Sequence, residues 1–419
     1  MSRVAIVGGY RTPFCKAFTS LSSCSALDMG IHVLENTIKR LNLDESRIDE
    51  LQFGSVLLDP RTPNLAREMV LRSSCSQSLS AHFVSNNCIS GLVAANAVSD
   101  GIRSGRISCG LAGGAESMSL PTLTFQRKGE KFFLQLSKAR SVGEKLKLLS
   151  SFRPQFLFPV PPSPKEPSTG LTMGQHCEIT AKEFQIGRET QDLWAVRSHQ
   201  HAARAQSSGV LGEEIVEIQG VSKDNFVRSD TTVEKLGKLS PVFDRSGSGT
   251  LTAGNSSGLT DGASLVCLMS EERCESEGRE PLAFIEAIEF AAIDPNDGLL
   301  MAPALALPRL LHRTKVAVSD IDLFEIHEAF SAQVIANRVA WEQGWKKYPN
   351  VAGIGHIPDE KINVNGGSLA IGHPFAATGG RLLISAAREL KRRNASRAVI
   401  SVCAAGAMAA AVMLTREGC

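Results

Sequence analysis

The chain has 419 residues, 43% of them hydrophobic and 21% charged, with a formal net charge of +2. That length can bury a large core and sets a soft prior of two or three domains. With 5% aromatics and nearly balanced charge, nothing points to a nucleic-acid stacking surface or to a global attraction for nucleic acid or membrane.

Arg3-Val-Ala-Ile-Val-Gly-Gly9 reads directly as a strand, with no signal-peptide pattern before it and no apolar run of transmembrane length anywhere. A reducing compartment is therefore expected: the cytoplasm, or the mitochondrial matrix for a mature eukaryotic chain. Ten cysteines, at 15, 24, 75, 88, 109, 177, 267, 274, 403 and 419, include no C-x-x-C pair, which argues against a zinc or dithiol site. Apolar patterning next predicts a helix over Ala26–Leu41, a strand over Gln52–Leu58, a helix over Ile89–Ser104 and a strand over Ser108–Ala112.

From Ser119 to Leu251 the pattern changes. This stretch holds the Pro-rich FPVPPSPKEP (158–167), expected to lie outside regular elements, and is read as a large inserted loop region with one helix at Arg188–Ser208. Residues 127–154 carry eight Lys/Arg against two Glu, interleaved with Phe132, Phe133, Leu136, Leu146 and Leu149. That suits an amphipathic segment on a membrane surface or partner subunit, or else a solvated basic face. Beyond it come predicted strands Leu282–Ala291, Leu323–Ile326 and Ala398–Cys403 and helices Val334–Gln343 and Gly379–Arg392. Alternating strands and helices predict helices covering a largely buried sheet. Ile48–Gly54 reads like Ile321–His327, and Leu111–Gly114 like Val402–Ala405, at offsets of 273 and 291 residues. Common order and similar offset predict a duplication.

Four residues could carry chemistry together. Cys88 precedes a helix-like run, so unpaired N–H groups and the positive dipole end are expected to lower its pKa and favour a nucleophilic thiolate. His373, between Gly372 and Pro374, is held in a turn and can take a thiol proton or donate to an oxyanion. His327 opens His-Glu-Ala-Phe after a strand and can be a second donor. Cys403 ends an apolar run and can serve as acid or base, with backbone amides after it to line an oxyanion site. Taken singly, each reads as an ordinary buried cysteine, core histidine or turn histidine. Together they make a nucleophile with proton carriers.

Asn87-Cys88-Ile89-Ser90-Gly91, Ala112–Ser117, Met173-Gly174, Leu251–Gly258, His327–Phe330 and Gly372-His373-Pro374 resemble the motifs of thiolases, over nearly the whole chain. Within that family His327, the Cys403-Ala-Ala-Gly start and the long insertion resemble the β-subunit type of trifunctional β-oxidation complexes. The resemblance implies an α/β fold of two similar βαβαβαββ halves in a layered αβαβα arrangement with an inserted loop domain. The expected division is 1–118 plus 252–278, 119–251, and 279–419. It implies CoA-dependent cleavage of a 3-ketoacyl-CoA through an acyl-Cys88 intermediate, with oxyanion N–H groups from Cys88 and Ala405. Substrate contacts would come from Ala253, Gly254, Ser257 and Gly406, with Ser257 against the CoA pantetheine. CoA is a co-substrate; no metal or permanently bound cofactor is implied. Implied partners are acyl-CoA and CoA, a second copy in a homodimer or homotetramer, and a hydratase/dehydrogenase subunit; no nucleic acid is expected.

Three positions depart from the family pattern. Ala407 and Ala409 stand where glycines are usual, and alanine at positive φ would be strained by about 1 kcal/mol or more. Ser240 stands where relatives often carry an arginine near the CoA phosphates. Two rival readings remain at this stage: a condensing enzyme, which has no catalytic use for Cys403, and a catalytically impaired acyl-CoA-binding subunit.

Overall fold

The computed structural model describes residues 2–416; Cys419 lies outside the described residues. The main strands are β1 (Val4–Arg11), β2 (Glu50–Gly54), β3 (Ser80–Val84), β4 (Cys109–Glu116), β5 (Thr260–Ser270), β6 (Ala283–Ala292), β7 (Leu323–Ile326), β8 (Arg397–Ala404) and β9 (Met408–Thr415). The main helices are α1 (Ala26–Arg40), α2 (Leu65–Arg72), α3 (Ser90–Arg103), α4 (Arg127–Lys138), α5 (Val142–Leu149), α6 (Met173–Glu183), α7 (Arg188–Ser207), α8 (Pro303–Thr314), α9 (Ser331–Gln343) and α10 (Ala377–Arg393).

The strands lie in the order β3-β2-β4-β5-β1-β6-β9-β8-β7. Read outward from the middle, the two sides match. β1, β5, β4, β2 and β3 on one side face β6, β9, β8 and β7 on the other, and a single parallel bridge from Phe324 to Ile362 stands where a fifth strand would lie. Pairing agrees: β2–β4 and β7–β8 are parallel, β4–β5 and β8–β9 antiparallel. The segments whose sequences look alike are thus β2 with β7 and β4 with β8. The two halves are joined edge to edge only by Val4–Ile6 against Ala283–Ile285.

Three apolar clusters separate the layers. One lies between α1, α2 and the first sheet and includes Met29, Val33, Leu34, Leu51, Leu111 and Met269. A second, between the sheets, surrounds α3 and α10. The third packs α8 and α9 with the second sheet and the insertion. Local sequence explains the elements. α1 opens on a Ser25–Asp28 capping box, ends in Lys39 and Arg40, and buries Met29, Val33, Leu34, Thr37 and Ile38 on one stripe. β5 is buried at all 11 positions, as a strand with helices on both faces must be.

The insertion corrects the expectation of loop. Besides the expected helix, α7, it carries α4, α5 and α6, and even Pro159–Val160 pairs with Thr124–Phe125 in a two-residue ladder. α4 folds over Phe152 and Phe156, with Phe132 ring centroids 5.5 and 5.4 Å from them. Its outer side leaves Leu134 exposed, and α5 leaves Val142, Leu146 and Leu149 exposed. The strand expected to reach Leu58 stops at Gly54, because the next backbone N–H groups, of Val56 and Leu57, turn to the buried Glu116 carboxylate.

Candidate active site

Cys88 sits in the turn that starts α3. Asn87 takes a left-handed φ of 48°, and Ser90 Oγ ties the turn by donating to Asn87 O at 2.7 Å and accepting from Asn86 N at 2.8 Å. The helix-start placement is as expected, but the lowered pKa is not. Burial pushes the thiol up to about 12; the N–H groups of Ala405 and of Cys88 itself pull the other way without prevailing. At rest Cys88 is a neutral thiol.

Small residues bring the segment of the second candidate, His373, close. A Cβ on Gly91 would lie 2.6 Å from Ala376 O, so only glycine allows the first turn of α3 to rest on the start of α10. The contact joins the element that follows Cys88 to the one that follows His373. His373 is 4% exposed. Its N–H donates to Thr260 Oγ1 at 2.8 Å and its Nδ1 meets Thr378 Oγ1 at 2.6 Å.

His327 follows β7, its N–H donating to Ser401 O at 2.8 Å and its Nδ1 meeting Ser368 Oγ at 2.8 Å. The next residue, Glu328, anchors the turn. Its buried carboxylate accepts from Trp194 Nε1, Ser198 Oγ, Asn363 Nδ2 and Leu369 N.

The two imidazoles lie 4.0 Å apart between ring centroids, and the Nε2 of each is buried without a protein partner. Buried polar atoms without partners are uncommon, and two together mark a place for a ligand atom. Burial, then the Arg381 charge, lowers the His373 pKa to about 3. Burial, His373 and Arg381 hold His327 well below its ordinary value. Both rings are therefore neutral at pH 7. Ser368 Oγ also accepts from Arg381 Nη2 at 3.4 Å, so the serine that holds His327 is itself held by the buried arginine.

Cys403, at the end of β8, is 1% exposed. Burial, then the nearby Cys88 and Cys177, holds its thiol well above the ordinary value. After it, Gly406 and Ala407 take φ of 75° and 55°. Ala407 is therefore in the strained region, whereas Ala409 is an ordinary strand residue opposite Cys403. Asn87 Nδ2 donates to Ala405 O at 3.0 Å, tying this turn to the one that holds Cys88.

Among the expected substrate contacts, Ser257 N donates to Ala329 O at 2.9 Å, and Ser256 bridges to Phe330, so the 251–258 loop lies against the His327 turn. Gly254 packs beneath Leu236 and Leu239, and Ala253 is exposed. Gly406 is exposed, but its N–H is taken by Glu166 Oε2 at 2.9 Å. Sequence reasoning missed Ser368 and Thr378, which lie inside the motif around His373, and Asn87, beside Cys88. It also missed Arg381 and Glu166. A groove of about 570 Å³ along Ser55–Leu65 holds none of the four candidate residues. No group of three metal-ligating side chains occurs among the described residues.

Residues 4–272 match the model of the thiolase N-terminal domain, and residues 279–416 that of the thiolase C-terminal domain. A 3-ketoacyl-CoA thiolase of Pseudoalteromonas translucida is 42% identical over 98% of this chain and 96% of its own length. One from Photobacterium profundum is 42% identical over 99% and 97%. The acetyl-CoA acetyltransferase of Bacillus anthracis superposes with a TM-score of 0.83 at 29% identity, covering 99% of both chains. The Acat5 thiolase of Ascaris suum, solved in complex with coenzyme A, gives 0.83 at 28% identity over 99% of this chain and 100% of its own.

Proposed function

The chain belongs to the thiolase family, and from that premise we propose that Cys88, His373, His327 and Cys403 carry its reaction. That reaction is CoA-dependent cleavage of a 3-ketoacyl-CoA to acetyl-CoA and a shortened acyl-CoA in fatty-acid β-oxidation, with CoA as co-substrate. The observation that supports these roles most is the pair of neutral imidazoles, each fixed through Nδ1 and each with a buried, unpartnered Nε2, together with the half-buried Cys88 thiol near the buried Cys403.

Cys88 Sγ attacks the 3-keto carbon while His373 Nε2 takes its proton. Because the thiol sits near 12 and the imidazole near 3, the transfer accompanies attack rather than preceding it. The C2–C3 bond then breaks. Its electrons pass to the thioester oxygen of the departing acetyl-CoA enolate, which lies between the two Nε2 atoms. Cys403 gives its proton to C2. CoA then gives its thiol proton to Cys403 and attacks the acyl-Cys88 carbon. The oxyanion faces the N–H groups of Cys88 and Ala405, and the proton on His373 returns to the departing Cys88 sulfur. A covalent thioester predicts ping-pong kinetics.

This reading keeps the division 1–118 plus 252–278, 119–251 and 279–419, and a homodimer or homotetramer. The exposed leucines and basic charge of α4 and α5 support a hydratase/dehydrogenase partner or a membrane surface as the contact for 127–154. No helix among the described residues is long and apolar enough to cross a membrane; we place the enzyme in the cytoplasm.

The test is CoA-dependent loss of acetoacetyl-CoA and of a long-chain 3-ketoacyl-CoA. Turnover abolished in Cys88→Ala and Cys403→Ala is expected. Turnover that survives Cys403→Ala would indicate a condensing enzyme, and tight acyl-CoA binding without turnover a binding subunit.

A further inference from the structure

We infer that Glu166, carried by the insertion, is a positioning residue for this reaction: it holds the peptide after Ala405 and so aims the Ala405 N–H at the oxyanion on Cys88. The inference rests on the catalytic reading above.

The turn from β8 to β9 spans Ala405, Gly406 and Ala407. Two consecutive residues there are left-handed, one of them an alanine. Such a turn is prone to rotate the peptide between its central residues, because a rotated peptide would relieve the positive φ. Here that peptide is gripped at both ends. Its carbonyl, Ala405 O, accepts from Asn87 Nδ2 at 3.0 Å, and its amide, Gly406 N, donates to Glu166 Oε2 at 2.9 Å. At the end of the turn, Ala407 O accepts from Ile293 N at 3.0 Å. Each residue of the turn is thus tied to a different part of the chain.

Glu166 is built to do this. It is only 8% exposed. Its N–H donates to Leu171 O at 2.8 Å and its carbonyl accepts from Gly170 N at 2.8 Å, closing a short hairpin. That hairpin runs into α6, whose Thr172–Gln175 capping box fixes where it emerges. Ser168 Oγ donates to the second carboxylate oxygen at 3.2 Å. A carboxylate accepting from an amide makes a stronger, shorter bond than a neutral acceptor would. The Ala405 N–H belongs to the preceding peptide, so the grip acts through Ala405 Cα: with the 405–406 peptide held, that Cα and the amide it carries toward Cys88 cannot shift. Glu166 contacts neither thiol nor imidazole; its effect passes through the turn.

The experiment compares Glu166→Ala, Glu166→Asp and Glu166→Gln in steady-state thiolysis, with stoichiometric alkylation of Cys88 as a check that the nucleophile's turn is intact. Losing one oxyanion donor lowers kcat by about 10²–10³-fold, and a misaimed donor should approach that. The expected result is a kcat at least about tenfold lower in Glu166→Ala and in Glu166→Asp, which retracts the charge by one methylene, with KM little changed and alkylation complete. Glu166→Gln keeps an acceptor in place and should restore most of kcat. A kcat within about twofold of wild type in Glu166→Asp or Glu166→Ala overturns the inference, as does a loss shared equally by Glu166→Gln. Wild-type turnover that does not depend on Cys88 sinks the catalytic reading and this inference together.

Discussion

A half-buried thiol whose partners are two uncharged imidazoles, as proposed for Cys88, has a recognisable titration behaviour. With burial pushing Cys88 up to about 12 and His373 down to about 3, no thiolate–imidazolium pair exists at rest. Alkylation of Cys88 by iodoacetamide should therefore accelerate steadily from pH 7 to 10. A plateau reached by pH 7 would show a preformed ion pair and would contradict the concerted first step. The same shift has a consequence for stability. In the unfolded chain His373 binds a proton below about pH 6.5, while in the folded chain it stays neutral down to about 3. Folding stability is thus fully present above 6.5 and falls with acidification across that window, by about 1.4 kcal/mol per pH unit for this one group. Urea titrations at pH 7, 6 and 5 should show it, and His373→Asn should flatten the slope by one proton. An unchanged slope in the variant would place the titration elsewhere.

Backbone strain and close helix contacts set the behaviour of the turns around the site. Ala407 sits at φ 55° where glycine would be unstrained, so Ala407→Gly should raise stability by about 1 kcal/mol and leave kcat no lower. Destabilisation by that change would mean the alanine methyl is worth more in the core than its backbone costs. Gly91→Ala should act in the opposite sense, because its Cβ would meet a backbone carbonyl that cannot swing away. The two turns should separate, and kcat should drop by an order of magnitude or more, since small misplacements of reacting groups are costly. These elements also show what could be read from sequence. The Cys88 and His373 turns were legible because local residues shape them. Ser368 and Thr378 were not singled out, since what they do depends on which ring nitrogen they reach. Glu166 acts on Gly406 from 240 residues away, and no spacing could announce it. β5 escaped notice because burial on both faces erases alternation, and β9 because its small residues resemble the turn before it. The insertion was misread for its prolines, which occupy only a short part of it.

At the scale of the molecule, the question is whether the two halves are independent. They match separate family models, and a chain of this length commonly unfolds in parts. The packing says otherwise. α10 belongs to the second half, yet its Leu382, Leu383, Ile384, Ala386 and Leu390 are fully buried in a cluster that also holds Val4, Ile6, Ala112, Val266 and Leu268 of the first. Ser264 Oγ of β5 donates to Ala377 O at the helix start, and Arg11 of β1 is buried with Glu214, whose other oxygen accepts from Ser385 Oγ on α10. Removing either half would expose one face of this central layer and leave buried charges without partners, which few domains survive. Calorimetry of the whole chain should therefore show one transition for the layered core, with no separate melting of residues 279–416. That segment expressed alone should lack a cooperative transition. If it melts cooperatively with its helix content intact, the shared layer is a contact between two finished domains, and the gap holding Cys88 and His373 must be assembled by docking rather than by folding.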